Sequence, residues 1–532
     1  MRNLKVGQEQ TRRPQIRVIS WRLVVCLFLV ISGITAATTL FLVRETSSQT
    51  PDEAKIASVE INAIRTGLSV GVGAGGAAAL LLAARKQWLG ERSQLHQEEV
   101  AETEIMDATE RRITDLYGKA VDQLGSDIAP VRIGGIFALE RLAQANPSHR
   151  QTIIDVVCAY LRMPFSIPSS VEASSVTTHA LQTALANNEE RQEMQVRITA
   201  QDLLRRHLSN TSKSKGEFWG GLRIDLTGAT LITWNLSDCE LEGGVFAHTR
   251  FIGTTRFTAS KSTGFMKFRG ARFHGFADFK GFEFSGPAKF EEVTFERACG
   301  FDQASFDLGA RFDRSTFKGQ ASFKLANFYD RSNFDDAEFS SEVNFAEADF
   351  ASDVQFIRAI FADICRFGQV RFRGAVTIAD SDFKGMTRFG SSRFEGRLRL
   401  RGTHFMDSAS FSECKFTAGV SVRNTRFSGV AKFANIEPMD GAAFRDVTFE
   451  KSSVFAGTQR STGVSFYGSQ FNGTVEFHRT VAQSYHFDNS SVLSREKMRA
   501  RPVGWAVSDE ISASGRYDIV RWHPPMLAPV TP

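Results

Sequence analysis

A ladder of phenylalanines restricts the fold of this sequence more than any other feature. From Phe268 to Phe372 a phenylalanine recurs at intervals that alternate between five and six residues. Neither an α-helix nor a flat strand has this period, whereas a solenoid has it when its faces differ in length by one residue. Small or β-branched residues precede the phenylalanines by two positions, so both positions point inward on an extended face. The ladder therefore predicts a stacked β-helix.

The alternating intervals also predict the cross-section of this solenoid. Faces of five and six residues stack on like faces only when each turn contains an even number of them, which predicts four sides and 22 residues per turn. The aliphatic replacements in the ladder, Ile378, Leu400 and Val422, are spaced by 22 residues and should form one column. In the same turns the preceding small position becomes valine or leucine, which restores part of the lost ring volume.

The six cysteines are explained mainly by the same repeat. Cys239, Cys299, Cys365 and Cys414 each stand two residues before a ladder position, so we expect them to be small inward-facing apolar side chains. The sequence contains no C-x-x-C pair and no Cys/His cluster. These spacings predict neither a metal site nor a redox motif.

Two uncharged stretches predict transmembrane helices. Residues 23–43 form an uncharged run of 21 residues and residues 67–84 a second of 18, close to the ~20 residues that span a bilayer. A cleavable signal peptide is the alternative for the first stretch. In the second, Gly67, Gly71 and Gly75 share one helical face, which offers a membrane-embedded contact for homo-oligomerisation.

Charge predicts the orientation of these spans. Basic residues are concentrated in segment 1–22 and directly after residue 84, whereas the loop 44–66 contains few. The positive-inside rule then predicts a multi-pass plasma-membrane protein with both termini cytoplasmic and the loop outside. The large C-terminal region would consequently lie in a reducing compartment.

Residues 85–210 are predicted to form a cytoplasmic helical region. A stalk continues the second span, an antiparallel helix pair of armadillo or HEAT type covers residues 130–162, and a Pro/Ser-rich linker follows. We expect the pair to pack on the stalk, on a later helix at residues 191–208, or against the end of the β-helix. Residues 481–532 lose the repeat and are interpreted as a cap, with disorder as the alternative for the last ten.

The segments DLTGA, TLITW, NLSDC and ELEGG near residue 230 resemble the A(D/N)LXX pentapeptide repeat, and the later ladder resembles its Phe-centred variant. Together with residues 107–164, almost the whole chain resembles actinobacterial pentapeptide-repeat membrane proteins. The resemblance implies two N-terminal transmembrane helices, a small α-helical region and a right-handed quadrilateral β-helix over residues 220–480. About twelve turns at ~4.8 Å spacing would form a rod of about 55–60 Å.

A filled solenoid offers long faces rather than a pocket, so the sequence predicts a membrane-tethered scaffold that binds an unidentified protein partner. Basic residues predicted to point outward form the candidate patch. Its members are Arg366, Arg371, Arg373, Arg388, Arg393, Arg397, Arg399, Arg401 and Lys415. The alternative interpretation is a solvated face that keeps the rod soluble.

Other function classes receive less support from the sequence. The resemblance also implies a DNA mimic or topoisomerase-binding regulator, but that role needs a strongly acidic rod and the charges here are balanced. The net charge of +5 does not indicate nucleic-acid binding. A membrane-linked signalling or stress protein is a further alternative. H-E-x-x-H and P-loop motifs are absent, so no catalytic, cofactor-binding or metal residue is predicted.

Overall fold

Two units, Met1–Thr114 and Asp115–Pro532, make up the computed structural model. It describes every residue except 1–19, 47–52, 168–180, 184, 186, 212–215, 437–440, 457–462, 478–484, 500, 503 and 522–532. Long helices occupy the first unit, and shorter helices precede a large β-structure in the second. The α-helices are α1 (Trp21–Thr46), α2 (Glu53–Leu124), α3 (Ala129–Ala145), α4 (Arg150–Arg162) and α5 (Asn188–Leu208). Short 3₁₀-helices cover Pro147–His149 and Arg495–Lys497.

The first unit contains the two uncharged stretches. Among the described residues, one helical stretch, Ile64–Leu124, is long and apolar enough to cross a membrane, and Phe28–Phe41 is a shorter apolar stretch. By length and composition alone, such helices are weak evidence for membrane association. Because α2 begins at Glu53, much of the predicted loop 44–66 is helical instead. The predicted stalk continues the same helix to Leu124, since no proline or capping residue interrupts it.

The glycine face of α2 lies partly against α1. A Cβ atom added at Gly67 would approach Thr39 Oγ1 at 3.3 Å, whereas at Gly71 or Gly75 it would meet nothing within 4 Å. Gly67 therefore contributes to the contact between the two helices, and the other two glycines are open.

The helix pair α3 and α4 covers the start of the β-structure. At Gly135 of α3, an added Cβ would lie 2.8 Å from backbone atoms of Ala120 and Leu124, so α3 and the end of α2 are in backbone contact. Arg162 of α4 pairs with Asp225 at 2.8 Å in the first turn of the solenoid. The helix pair therefore packs on both the stalk and the end of the solenoid. Salt bridges also join α3 to α5.

Of the residues that the structure describes, 49 strands form four sheets, numbered by their order within a turn. Sheet 1 contains Arg223–Asp225, Gly243–Val245, Met266–Lys267, Ala288–Lys289, Ala310–Arg311, Ser332–Asn333, Val354–Ile357, Val376–Ala379, Leu398–Arg401, Val420–Arg423, Ala442–Arg445, Val464–Tyr467 and Tyr485–Asp488. Sheet 2 contains Thr230–Ile232, Arg250–Ile252, Arg272–Phe273, Thr294–Phe295, Thr316–Phe317, Glu338–Phe339, Ile360–Phe361, Asp382–Phe383, His404–Phe405, Arg426–Phe427, Thr448–Phe449, Gln470–Phe471, Ser491–Val492, Tyr517–Arg521 and Trp505–Ile511.

The other two sheets complete each turn. Sheet 3 contains Thr255–Arg256, Ala277–Asp278, Cys299–Gly300, Ala321–Ser322, Val343–Asn344, Cys365–Arg366, Thr387–Arg388, Ala409–Ser410, Ala431–Lys432, Ser453–Val454, Val475–Glu476 and Met498–Arg499. Sheet 4 contains Glu240–Leu241, Lys261–Ser262, Glu283–Phe284, Ser305–Phe306, Asn327–Phe328, Asp349–Phe350, Arg371–Phe372, Arg393–Phe394 and Lys415–Phe416. Successive turns pair in parallel, as expected for a solenoid.

The register confirms the predicted turn of four sides and 22 residues. Phe301 stacks on Phe323 with ring centroids 5.0 Å apart and planes inclined by 3°, whereas Phe312 meets Phe301 edge to face. The aliphatic column is also confirmed, because Ile378 pairs with Leu400 and Leu400 with Val422. The first turns are shorter, at 20 residues between Arg223 and Gly243. The right-handedness of the solenoid stays a prediction.

The solenoid extends beyond the predicted boundary at residue 480. Strand Tyr485–Asp488 continues sheet 1, and Phe487 stacks on Phe466 at 5.0 Å. Because the residue spacing of this last turn is irregular, the repeat pattern did not predict it. An antiparallel hairpin, Trp505–Ile511 with Tyr517–Arg521, then extends sheet 2. The last ten residues, for which disorder is the alternative interpretation, lie outside the described residues.

Candidate interaction surface

Phenylalanine rings fill the interior of the solenoid. Within one column, stacked rings lie about one strand spacing apart, as for Phe345 on Phe323 at 4.8 Å and on Phe367 at 5.0 Å. Rings of adjacent faces meet edge to face, as Phe334 meets Phe345 at 5.6 Å. Both arrangements are favourable for aromatic quadrupoles. The interior is therefore a packed core, and recognition by this region must use its outer faces.

The repeat cysteines lie in this core as predicted. Cys239, Cys299, Cys365 and Cys414 are all buried. Burial raises the pKa of the Cys239 and Cys414 thiols to about 12, and it raises the pKa of Cys299 and Cys365 well above the ordinary value. Because the thiolate is the reactive form, these side chains are unreactive at neutral pH.

Histidines of the solenoid do not form a shared site among the described residues. His404 Nε2 lies 2.8 Å from Ser428 Oγ. His274 is buried, and burial together with nearby Arg250 and Arg272 lowers its pKa. His478 lies outside the described residues. The described chain contains no group of three metal-ligating side chains.

The nine predicted patch residues are distributed over three sheets. Arg366 and Arg388 point outward from sheet 3 in adjacent turns. Arg371, Arg393 and Lys415 form one outward column on sheet 4. The remaining four residues lie on sheet 1 or at the corner between sheets 4 and 1; these are Arg373, Arg397, Arg399 and Arg401. Sheet 4 is therefore the centre of the basic surface.

Ion pairs divide these nine residues into two groups. Four of them contact a carboxylate of a neighbouring turn: Arg366–Glu342 at 2.6 Å, Arg371–Glu395 at 2.7 Å, Arg373–Asp349 at 2.5 Å and Arg401–Asp380 at 3.1 Å. Such exposed pairs contribute at most about 1 kcal/mol each. They neutralise part of the predicted patch, so these four residues present little net charge to a partner.

The other five residues have no carboxylate partner within the described part of the chain, and we call them the unpaired cluster. Its members are Arg388, Arg393, Arg397, Arg399 and Lys415. Arg388, Arg393, Arg397 and Arg399 belong to one turn, and Lys415 follows on sheet 4 in the next. All five side chains are exposed, and their charge is concentrated within two turns.

The unpaired cluster belongs to a wider asymmetry of charge along the solenoid. Residues 330–363 contain nine acidic and two basic residues, a net charge of −7. Residues 386–432 contain nine basic and three acidic residues, a net charge of +6. The signal is visible when charges are counted turn by turn rather than over the whole chain. The solenoid therefore has an acidic section followed by a basic section.

A comparison with known protein families agrees with this geometry. Neither a curated protein nor a solved structure shows significant similarity to the chain. A family model described as pentapeptide repeats matches residues 279–326 and 367–414, with nine copies. The matched residues lie in the four-sided part of the structure, and the matched family describes a structural repeat rather than a catalytic domain. The β-solenoid of about twelve turns therefore fits the pentapeptide-repeat family that this model describes.

Proposed function

We propose that this protein is a membrane-tethered cytoplasmic scaffold whose solenoid binds a protein partner at the unpaired cluster. One observation carries the proposal: five cations without carboxylate partners among the described residues lie within two turns of a solenoid whose interior is full. A rigid outer face with concentrated charge steers and orients an oppositely charged protein surface. The function is binding rather than catalysis.

The first unit supports the tether. In α1, the side chains of Phe28, Leu29, Ile34, Leu40 and Phe41 are all exposed. A helix that exposes apolar side chains along its length is stable in a bilayer, where its backbone bonds are satisfied internally. The basic segments on either side of the two stretches favour cytoplasmic termini. Carbonate extraction and reporter fusions at each terminus of the full chain test both points.

Charge reversal tests the binding surface. We expect Arg393→Glu combined with Lys415→Glu to reduce recovery of protein partners at least tenfold in proximity labelling from the C-terminus, because both cations lie at the centre of the unpaired cluster. Lys384→Glu is the matched control, since Lys384 is exposed at the corner between sheets 2 and 3. If the double variant retains every partner that the control retains, the cluster is not the binding surface.

The DNA-mimic alternative receives less support. A mimic of the DNA backbone needs continuous negative charge along its length, and residues 386–432 have a net charge of +6. Gyrase supercoiling in the presence of the full chain tests this alternative, and we expect no inhibition.

A further inference from the structure

Sheet 1 has its broadest outer face from the middle of the solenoid to its C-terminal end. From Val354–Ile357 to Val420–Arg423 its strands contain four residues each, whereas strands of sheets 3 and 4 contain two. Longer paired strands make a flatter surface, which suits extended contact with another protein. The acidic and basic sections of the solenoid both cross this face.

Charges on this face are arranged symmetrically about one strand, Val376–Ala379. Val354 N donates to Ala375 O, and Val376 N donates to Arg397 O, each at 3.0 Å. Asp353, Ala375 and Arg397 therefore form one column, with Asp353 one turn before the central strand and Arg397 one turn after it. Each lies ~4.8 Å from the central strand along the solenoid axis.

Two further columns repeat this pattern. Gln355, Thr377 and Arg399 are in register on the outer face, with the threonine in the middle. At the far end of the strands, the third column contains Asp335 and Ile357 before Ala379, and Arg401 and Arg423 after it. In all three columns the acidic or amide group comes before the centre and the arginine after it.

This arrangement is complementary to itself. A two-fold axis that runs parallel to the central strand, in the plane of the interface, places each column opposite the same column of a second copy, running in the reverse direction. Asp353 then faces Arg397 of the second copy and Gln355 faces its Arg399, while the reciprocal contacts form at the same time. Ala375, Thr377 and Ala379 lie on the axis, where small side chains permit close approach.

We propose that a second copy of this chain docks antiparallel on the outer face of sheet 1, centred on strand Val376–Ala379. The inference rests on the proposed function, because it uses Arg397 and Arg399 of the unpaired cluster, and it names one partner of that surface. Repulsion between like charges does not oppose docking at the centre, because Arg373 is paired with Asp349 and Arg371 is paired with Glu395. Asp353 Oδ1 accepts from Ala375 N at 2.8 Å, which leaves its second oxygen for a guanidinium.

The sharpest test is a charge swap in the full-length protein, with mass measured by sedimentation in detergent. We expect Asp353→Arg and Arg397→Asp each to weaken the dimer at least tenfold, because each places like charges opposite one another twice. The double variant Asp353→Arg/Arg397→Asp should restore the dimer, since the symmetric contacts are again complementary. Glu338→Arg on sheet 2 is the control and should have no effect.

A second measurement does not depend on affinity. In a Cys26→Ser background, Thr377→Cys should cross-link to its symmetry mate with a short bismaleimide, whereas Thr316→Cys on sheet 2 should not, and the buried native thiols remain unmodified. A wild-type monomer, or a dimer that persists in both single variants, overturns the proposal; the latter outcome assigns the contact elsewhere, such as Gly71 and Gly75 of α2. If Arg393→Glu/Lys415→Glu loses protein partners but no dimer of this chain is found, the proposed self-association is wrong while the proposed scaffold function stands.

Discussion

Residues at two of the four corners adopt a left-handed backbone conformation. Along the corner between sheets 3 and 4, Gln303, Leu325, Glu347 and Gln369 have φ between 59° and 62°. This region is unfavourable for most side chains and is tolerated best by glycine and asparagine. Stacking of the phenylalanines fixes the corner geometry, so the chain accepts local strain in exchange for core packing.

Leu325 is the clearest position at which this strain can be relieved. We expect Leu325→Asn to raise the free energy of unfolding by ~0.5–1 kcal/mol, because asparagine adopts positive φ more readily than leucine. Leu308→Asn is the matched control, since Leu308 is another exposed corner leucine without positive φ. Thermal unfolding of both variants decides the point, and an equal effect at the two positions would contradict the strain argument.

Thiol accessibility checks the burial of the cysteines. In a Cys26→Ser variant, we expect no reaction with a thiol reagent at pH 8 in the native state and five reactive thiols after denaturation. Burial raises the pKa of Cys158, Cys239 and Cys414 to about 12. Because the unfolded thiols ionise near ~8.5, this contribution to stability is complete below that pH and is lost as pH rises toward 12. Rapid labelling of native protein would show that the turns open.

At the scale of the elements, the strands and columns were predictable because the phenylalanine spacing reports the geometry directly. The register of Phe301 on Phe323 follows from counting residues. Pairing of Arg371 with Glu395 was not predictable, because it depends on how side chains adjacent to ladder positions lean across turns. The end of the solenoid was not predicted because the step from Val464 to Tyr485 is 21 residues and departs from the regular spacing of 22.

The contact between α2 and α3 predicts that alanine substitution at two neighbouring glycines changes the free energy of unfolding in opposite directions. A Cβ atom added at Gly135 would lie 2.8 Å from backbone atoms of α2, whereas one added at Gly134 would meet nothing within 4 Å. We expect Gly135→Ala to lower the free energy of unfolding by ~1–3 kcal/mol through forced separation of the helices. Gly134→Ala should raise it by up to ~1 kcal/mol, because alanine favours the helix. Denaturant unfolding measures the free energy of unfolding of both variants. If the two substitutions change it in the same direction, α2 and α3 are not in close contact at Gly135.

The solenoid of the second unit behaves as a one-dimensional stack, in which each turn contacts only its neighbours. Stability of such a stack depends on the interfaces between turns, so its two halves are coupled only through the turns that separate them. The unbroken phenylalanine columns through Phe323, Phe345 and Phe367 provide that coupling in the middle of the ladder.

Removal of one central ring tests whether the columns couple the whole solenoid. We expect Phe345→Ala to cost ~3–5 kcal/mol, since the ring is fully buried and its cavity cannot collapse between the turns above and below. Hydrogen exchange should then show the turns on the two sides of residue 345 opening separately, whereas the wild type opens as one unit. Phe345→Leu is the control and should cost less than half as much, because the ladder already accepts Leu400 in another column. If Phe345→Ala leaves exchange on both sides coupled, the hydrogen-bonded sheets rather than the aromatic columns hold the turns together.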